Sequence, residues 1–416
     1  MCQEKECIDS CTLTIEKKYR LAEFFDMWWD EYIKSPTEPI KPEQYKAVNA
    51  IRTCRTEALG VDYYVCTECG ELSEQYHSCK NRFCPTCSWK DTLNWADRIK
   101  NQMLNLPHRH VVFTIPHRLN GLIKSNRKEL FNIFFKAAAE TLKDWMDFKY
   151  KLTPGIISVL HTFGETKDYH VHIHMIVSWG GISNVTNSLQ AIKGEYVNYE
   201  FIQNKFRCKF EDSLINYYKS GDMKHKFQDQ IDFMRFVKQI NDKMWRIHLE
   251  PAMEIPTEVI RYIGRYSKRA CLSEYKITLI DGENISFRHK DYKNLDVNNK
   301  PIERELQLNY RDFFPRLLQH VPIRYFRIVR YYGVYSTKTK IAPEHLYVGS
   351  KEEEIHIKQQ SESEEIYEIE DPCYCKVCNK HKLYIHTEFK SKRGAKIIMS
   401  KYPYRRRFDK HKSYAA

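Results

Sequence analysis

The stretch IISVLHTFGETKDYHVHIHMIVS (156–178) decides the reading of this chain. Two runs rich in β-branched residues flank a short polar segment, ETKD, and read as two strands of a hairpin. In the second run His170, His172 and His174 recur at period two, so all three share one face of a strand. Val171, Ile173 and Met175 point to the other face, towards a core. Counting outward from a turn centred on residues 166–167 sets His161 opposite His172, Phe163 opposite His170 and Val159 opposite His174. His161, His172 and His174 then converge from adjacent strands, with His170 and Glu165 as competing choices for a third ligand. Imidazoles crowded on one face repel when protonated, and neutral imidazole is the commonest metal ligand, so the row points to a bound cation.

On either side of the hairpin the pattern alternates between helix and strand. LAEFFDMWWDEYIK (21–34) and ELFNIFFKAAAETLKDWMDFKY (129–150) have helical periodicity, and HVVFTIP (110–116) is a strand ended by proline. EVIRYIGRYSKRACL (258–272) reads as a helix, and ITLIDGENISFRH (277–289) as a hairpin turning at Asp281-Gly282. KEEEIHIKQQSESEEIYEIEDP (351–372) is acidic and polar and reads as a linker, followed by a strongly basic tail.

Six of the fourteen cysteines lie between residues 50 and 90. Cys66/Cys69 and Cys84/Cys87 are two CxxC pairs 14 residues apart, close to the zinc-ribbon pattern, because a CxxC turn aims two thiolates at one ion. Cys54, Cys79 and His77 are further candidate ligands. Near the C-terminus Cys373, Cys375, Cys378 and His381 form a candidate second, Cys3His zinc site. Arg82 beside the first cluster suits a nucleic-acid-facing module.

Lysine and arginine number 67 against 54 acids, a net charge of +13 that suits a polyanionic partner. No run approaches the length of a membrane span, and the start MCQEKECIDSC has no apolar signal region, so a cytoplasmic protein with reduced thiols and no membrane partner is expected. Tyr262 and Tyr266 stand four apart in the helix-like segment, among Arg261, Arg265, Lys268 and Arg269. Tyr331 and Tyr335 have the same spacing within RYFRIVRYYGVY (324–335), a basic and aromatic segment in which Arg324, Arg327 and Arg330 suit a DNA-stacking surface.

Taken in order, CRTEALG (54–60), SCKNRFCPTC (78–87), HVVFTIP, VLHTFG (159–164), HVHIH with its apolar run and GGIS, RYIGRYSKR (261–269), SFRHKDY (286–292) and RYFRIVRYYGVYS (324–336) resemble the bacterial rolling-circle transposases of the insertion-sequence-ninety-one type, members of the HUH (His–hydrophobe–His) endonuclease superfamily. The likeness covers roughly residues 45–340. Val171 stands where the family often has proline, Glu165 where it has glutamine and Phe163 where it has tryptophan.

The resemblance implies an α+β chain: a ferredoxin-like HUH core, an antiparallel sheet with packed helices, plus an N-terminal zinc module. It places the HUH pair at His172 and His174, holding Mg2+ or Mn2+, and makes Tyr262 and Tyr266 nucleophiles that form 5′-phosphotyrosine links to single-stranded DNA. Expected partners are single-stranded DNA at transposon ends and target DNA, with a homodimer as an option and a nucleoid-associated location in a bacterial cytoplasm. The expected domains are a helical segment (1–44), a zinc-binding DNA-recognition domain (45–107), the catalytic domain (108–345), the acidic linker (346–372) and a cysteine-containing basic tail (373–416). The rival readings are an HUH replication initiator or relaxase, a non-enzymatic zinc-dependent DNA-binding protein, and a histidine-metal hydrolase or oxygenase.

Overall fold

The computed structural model describes residues 19–100, 102–194, 197–241, 245–253, 270–346, 374–390 and 396–399. The helix expected at 258–272 falls outside them except for its last three residues, as do the acidic stretch 351–372, Cys373 and the basic end of the chain.

Two helices, α1 (Leu21–Tyr32) and α2 (Pro42–Arg52), precede a hairpin of β1 (Val61–Cys66) and β2 (Leu72–Tyr76) and a longer helix, α3 (Pro85–Lys100). Then come β3 (His108–Thr114), the short α4 (Asn120–Ser125) and the long α5 (Arg127–Tyr150). β4 (Leu152–Thr153), β5 (Gly155–Phe163), β6 (Tyr169–Ser178), β7 (Gly180–Ser183) and β8 (Leu189–Ala191) follow, then α6 (Tyr199–Lys219), α7 (Gln230–Asn241) and β9 (Arg246–Leu249). After them lie β10 (Ile277–Asp281), β11 (Asn284–Leu295), β12 (Pro301–Asn309), α8 (Tyr310–Leu318), β13 (Val329–Gly333), β14 (Lys382–Lys390) and β15 (Lys396–Met399).

Five of these strands, in the order β13-β5-β6-β3-β9, form one sheet in which every pairing is antiparallel. Strand alternation gives the sheet two unlike faces. Val111, Phe113, Ile156, Leu160, Val171, Ile173 and Met175 join one core with Phe131, Phe134 and Phe135 of α5, Phe206 and Phe210 of α6 and Phe233 of α7. The helices therefore cover that face, and burying it against them is what holds β5 and β6 in register. The other face carries the histidines. Its far end is closed by α3, where Trp95 and Ile99 meet Ile157, Ile176, Val334 and Tyr335.

A second core joins the start of the chain to residues 271–321. There α1 and α2 pack against α8 and the β10-β11-β12 sheet, and Phe25 stacks on Phe314 with ring centroids 5.1 Å apart. Cys54, Cys84 and Cys87 belong to this same core. A third sheet has the order β15-β14-β1-β2, so strands from the far end of the sequence complete the hairpin of the cysteine-rich segment. The architecture is α+β, with antiparallel sheets and helices packed on them, and no helix among the described residues is long and apolar enough to cross a membrane.

The β5–β6 hairpin keeps the expected pairs His161–His172 and Val159–His174, but Phe163 faces Tyr169, not His170. Between these pairs β6 spends three residues where β5 spends two, so His170 and Val171 share the position opposite Thr162 as a bulge. The Thr162 hydroxyl donates to His320 Nδ1 at 3.0 Å, and His320 Nε2 donates to the Lys167 carbonyl at 2.9 Å. That imidazole ties the bulge to the hairpin turn, where Lys167 adopts a left-handed φ of 64°.

Candidate metal centre and cysteine sites

The bulge and the register together leave His161, His172 and His174 on the sheet face that the helices do not cover. Their candidate ligand nitrogens all lie within 4.8 Å of one another, and the rings of His161 and His174 have centroids 4.6 Å apart. His161 and His172 are buried and His174 is half-buried. Burial first, and then the neighbouring His161, pushes the imidazoles of His172 and His174 well below the usual histidine range, so both stay neutral at physiological pH.

The ring tautomers follow from the partners. His172 Nδ1 lies 3.0 Å from the His170 carbonyl, which can only accept, so Nδ1 carries the proton and Nε2 keeps its lone pair. His174 Nδ1 lies 2.8 Å from His110 Nε2, and the two rings stack nearly parallel at 5.0 Å. Glu250 Oε1 stands 3.2 Å from His110 Nδ1, as a charge contact and not an aligned hydrogen bond, and its negative charge favours a proton on that nitrogen. His110 Nε2 is then the acceptor, His174 Nδ1–H the donor, and His174 Nε2 is left for an ion. This is the carboxylate–histidine arrangement that orients metal ligands from behind.

His110 and Glu250 were not singled out in the sequence. His110 opens the apolar run of β3, and only the pairing of β3 with β6 brings it beside His174. The two competing third ligands are turned elsewhere. His170 Nδ1 is 3.0 Å from His117 Nε2, beyond the bulge. Glu165 binds Lys276 at 3.0 Å and accepts the Lys290 amide at 3.2 Å, so its carboxylate is committed to the β10-β11-β12 sheet.

Tyr262 and Tyr266, with Arg261, Arg265, Lys268 and Arg269, lie outside the described residues. The residues that flank this segment are held on the sheet and on α3. Met253 exchanges two backbone hydrogen bonds with His108, at 2.9 and 2.8 Å, and the Ala270 amide donates to Ser88 Oγ at 3.0 Å. Ala270 and Cys271 line the same cavity as His161 and His320.

Within the basic-aromatic segment the side chains divide. Tyr335 is buried, accepts the Leu104 amide at 3.0 Å and donates to His108 Nε2 at 2.6 Å, while Tyr331 accepts Trp95 Nε1–H at 2.8 Å. Arg330 lies over the Phe135 ring at 4.3 Å, and Arg82 donates to the Phe326 carbonyl at 3.0 Å. Arg324, Tyr325 and Arg327 remain exposed, with Tyr325 84% accessible.

The cysteines are sorted differently from their spacing. Cys54, Cys79, Cys84 and Cys87 form one group, with Cys87 Sγ 3.5 Å from both Cys54 and Cys79. Cys66 and Cys69 stand apart from it with Cys375 and Cys378. The quartet Cys66, Cys69, Cys84, Cys87 is therefore not assembled, because β1 carries Cys66 to the far end of its sheet while Cys84 and Cys87 open α3 inside the second core. His77 is not in either group: its Nε2 lies 2.8 Å from Asp62. Nor is His381, which bridges to Tyr374 in the backbone and whose ring lies 4.2 Å from that tyrosine.

The chain is similar to proteins of one kind. A family described as "Transposase zinc-binding domain" matches residues 24–115, and a second described as "Putative transposase" matches residues 155–342. "Putative transposase y4qJ" of Sinorhizobium fredii is 27% identical over 321 residues, covering 75% of this chain and 79% of its own. "Transposase for insertion sequence element IS801" of Pseudomonas savastanoi pv. phaseolicola is 26% identical over 301 residues, 70% of each chain. No solved structure matches the chain. The first matched region holds six cysteines, four of them gathered at one point, and the second holds the histidine trio. Along both matched regions the chain is similar to transposases of the insertion-sequence-ninety-one type, its N-terminal part to their zinc-binding domain.

Proposed function

We propose that this transposase cuts and rejoins single-stranded DNA at the ends of its mobile element through a tyrosine-linked intermediate, with Mg2+ or Mn2+ held by His161, His172 and His174. The observation that carries the reading is the convergence of those three imidazoles, two of them kept neutral by burial, on one point of the sheet. The donor set fits: three nitrogens leave the other positions of a divalent ion to water and phosphate oxygens, the hard donors that Mg2+ and Mn2+ prefer. When bound, such an ion would polarise the scissile phosphate.

The chain's own residues supply the rest. His110 and Glu250 hold His174 in the ligating tautomer. Tyr262 and Tyr266 are the proposed nucleophiles. A phenol oxygen forms a bond to phosphorus, the 3′ oxygen leaves and takes up a proton, and the products are a 5′-phosphotyrosine and a free 3′-OH. Of the described residues that flank the tyrosines in sequence, Met253 is bonded to His108 and Ala270 lines the cavity that His161 also lines. Arg261, Arg265, Lys268 and Arg269 would favour phenolate and hold the backbone phosphates, and Arg324, Tyr325 and Arg327 offer an exposed basic and aromatic surface for the strand. Cys54, Cys79, Cys84 and Cys87 are the proposed ligands of the zinc in the N-terminal domain.

The test is to incubate the chain with single-stranded element ends and Mn2+ and to map the covalent adduct. The label should fall at Tyr262 or Tyr266; each single Phe variant should still nick, and the double variant should form no adduct. A label on Tyr331 or Tyr335, or undiminished cleavage in EDTA, would overturn the proposal.

A further inference from the structure

The group formed by Cys66, Cys69, Cys375 and Cys378 joins two parts of the sequence that the matched families do not join: the C-terminal pair lies beyond residue 342, where the second match ends. Its construction is doubled. Cys66 and Cys69 close β1, and Cys375 and Cys378 precede β14. In each turn the backbone is hydrogen-bonded alike. The Gly70 amide donates to the Cys66 carbonyl at 3.0 Å and the Asn379 amide to the Cys375 carbonyl at 2.9 Å. The Cys66 amide donates to the Glu71 carbonyl at 2.9 Å and the Cys375 amide to the Lys380 carbonyl at 2.8 Å. The residue after each second cysteine is left-handed, Gly70 at φ 73° and Asn379 at φ 52°, which are the residue types that tolerate that conformation.

The sulfurs are treated alike as well. Backbone amides of Cys69 and Glu68 point at the Cys66 sulfur, and those of Cys378 and Val377 at the Cys375 sulfur; in both turns these amides favour thiolate. Pairing of β1 with β14 sets Cys66 opposite Lys382 and so brings the two turns face to face. Across the gap Cys66 Sγ is 3.4 Å from Cys378, Cys69 is 3.5 Å from Cys375, and Cys69 and Cys378 are 3.8 Å apart. A tetrahedral zinc with bonds of about 2.3 Å sets its sulfurs about 3.8 Å apart, whereas a disulfide needs about 2.05 Å.

We propose that these four thiolates bind a second zinc ion, separate from that of Cys54, Cys79, Cys84 and Cys87, and that this ion fastens the C-terminal strands to the N-terminal domain. The geometry of two facing knuckles carries it. The strands it secures are part of the domain's packing: Thr387 on β14 is fully buried and donates to Asp62 at 2.6 Å, the carboxylate that also binds His77. Phe389 lies against Gly60, where a Cβ would meet its ring at 2.6 Å.

The purified full chain should contain two tightly held zinc ions, read by elemental analysis, with cobalt substitution giving tetrahedral thiolate spectra for both. Cys375→Ser with Cys378→Ser should lower the count to one and leave the cobalt spectrum of the other site in place. A count of two in that double variant would overturn the proposal. Should the variant fail to fold, a wild-type chain with a protease site inserted between residues 360 and 361 serves instead. After cutting, the C-terminal fragment should stay with the rest in zinc and separate on treatment with a strong chelator. Separation in zinc, or retention after both ions have been stripped, would overturn it. DNA cleavage enters neither readout, so the result stands apart from that of the adduct experiment.

Discussion

Between Glu250 and the three converging imidazoles stands His110, a residue outside the proposed ligand set. Its ring sits 2.8 Å behind His174 and 3.2 Å in front of the carboxylate, and the chain of protons decides which nitrogen of His174 faces forward. Supporting groups of this kind are typically worth ~10–100-fold in metal affinity. His110→Ala and Glu250→Ala should each weaken Mn2+ binding to the full chain by about that factor, measured by calorimetric titration, with little loss of single-stranded DNA binding. Unchanged Mn2+ affinity in both would remove the relay. The convergence of His161, His172 and His174 was legible in the sequence, because period-two spacing and a count around one short turn place them together. His110 was not, since the pairing of β3 with β6 is a long-range contact that leaves no local periodicity. The same limit hid the bulge that separates His170 from the trio.

At the scale of elements, β13 is the edge strand nearest the start of β5, and its last residue shows how tightly the two are joined. Gly333 has φ 58°, and a Cβ there would lie 1.9 Å from the Pro154 carbonyl oxygen, which also accepts the Val334 amide at 2.9 Å. Neither atom belongs to a flexible side chain, so the strand must shift. Gly333→Ala should lower stability by more than ~2 kcal/mol, from the left-handed conformation plus the clash. Gly282, with φ 51° and nothing within 4 Å of its Cβ position, is the control, and its alanine variant should cost only ~1 kcal/mol. Chemical denaturation midpoints compare the two; equal losses would show that β13 yields freely. The Asp281-Gly282 turn was legible from its residues, as were α1, α5, β3 and the β5–β6 hairpin. The cysteine turns were legible as turns, but CxxC spacing says only that two thiolates share an ion, not which second pair completes it. Here the choice is made by strand pairing across most of the sequence.

For the whole molecule, buried histidines contribute to the response to acid, His108 and His320 among them beside His172 and His174. His108 is held neutral, with its pKa pushed down to about 4, by burial, and His320 to about 3 for the same first reason. In each case one ring nitrogen donates to a carbonyl and the other accepts a hydroxyl, Tyr335 for His108 and Thr162 for His320. An unfolded chain takes up these protons near pH 6.5. Below that pH the unfolded state binds more protons, so stability is complete above about 6.5 and falls as the pH drops towards 4 and then 3. Thermal unfolding followed from pH 7.5 to 4.5 should show a melting temperature that declines below pH 6.5, with a shallower decline in His108→Gln. A flat profile would mean that neither imidazole is buried neutral.

The pairing of β1 with β14 also has a consequence in time. Ribosomes deliver the chain from its N-terminus, at roughly 5–20 residues per second. Cys66 and its partner Lys382 are 316 positions apart, so roughly 15–60 s pass at that rate before the strand has its neighbour. Through that interval the N-terminal domain carries an open sheet edge, and Cys66 and Cys69 lack the facing pair, while the histidine sheet between them is already being made. Completion of this sheet thus waits on residues translated more than 300 positions later, and a chain whose translation stops before them is left with it unfinished.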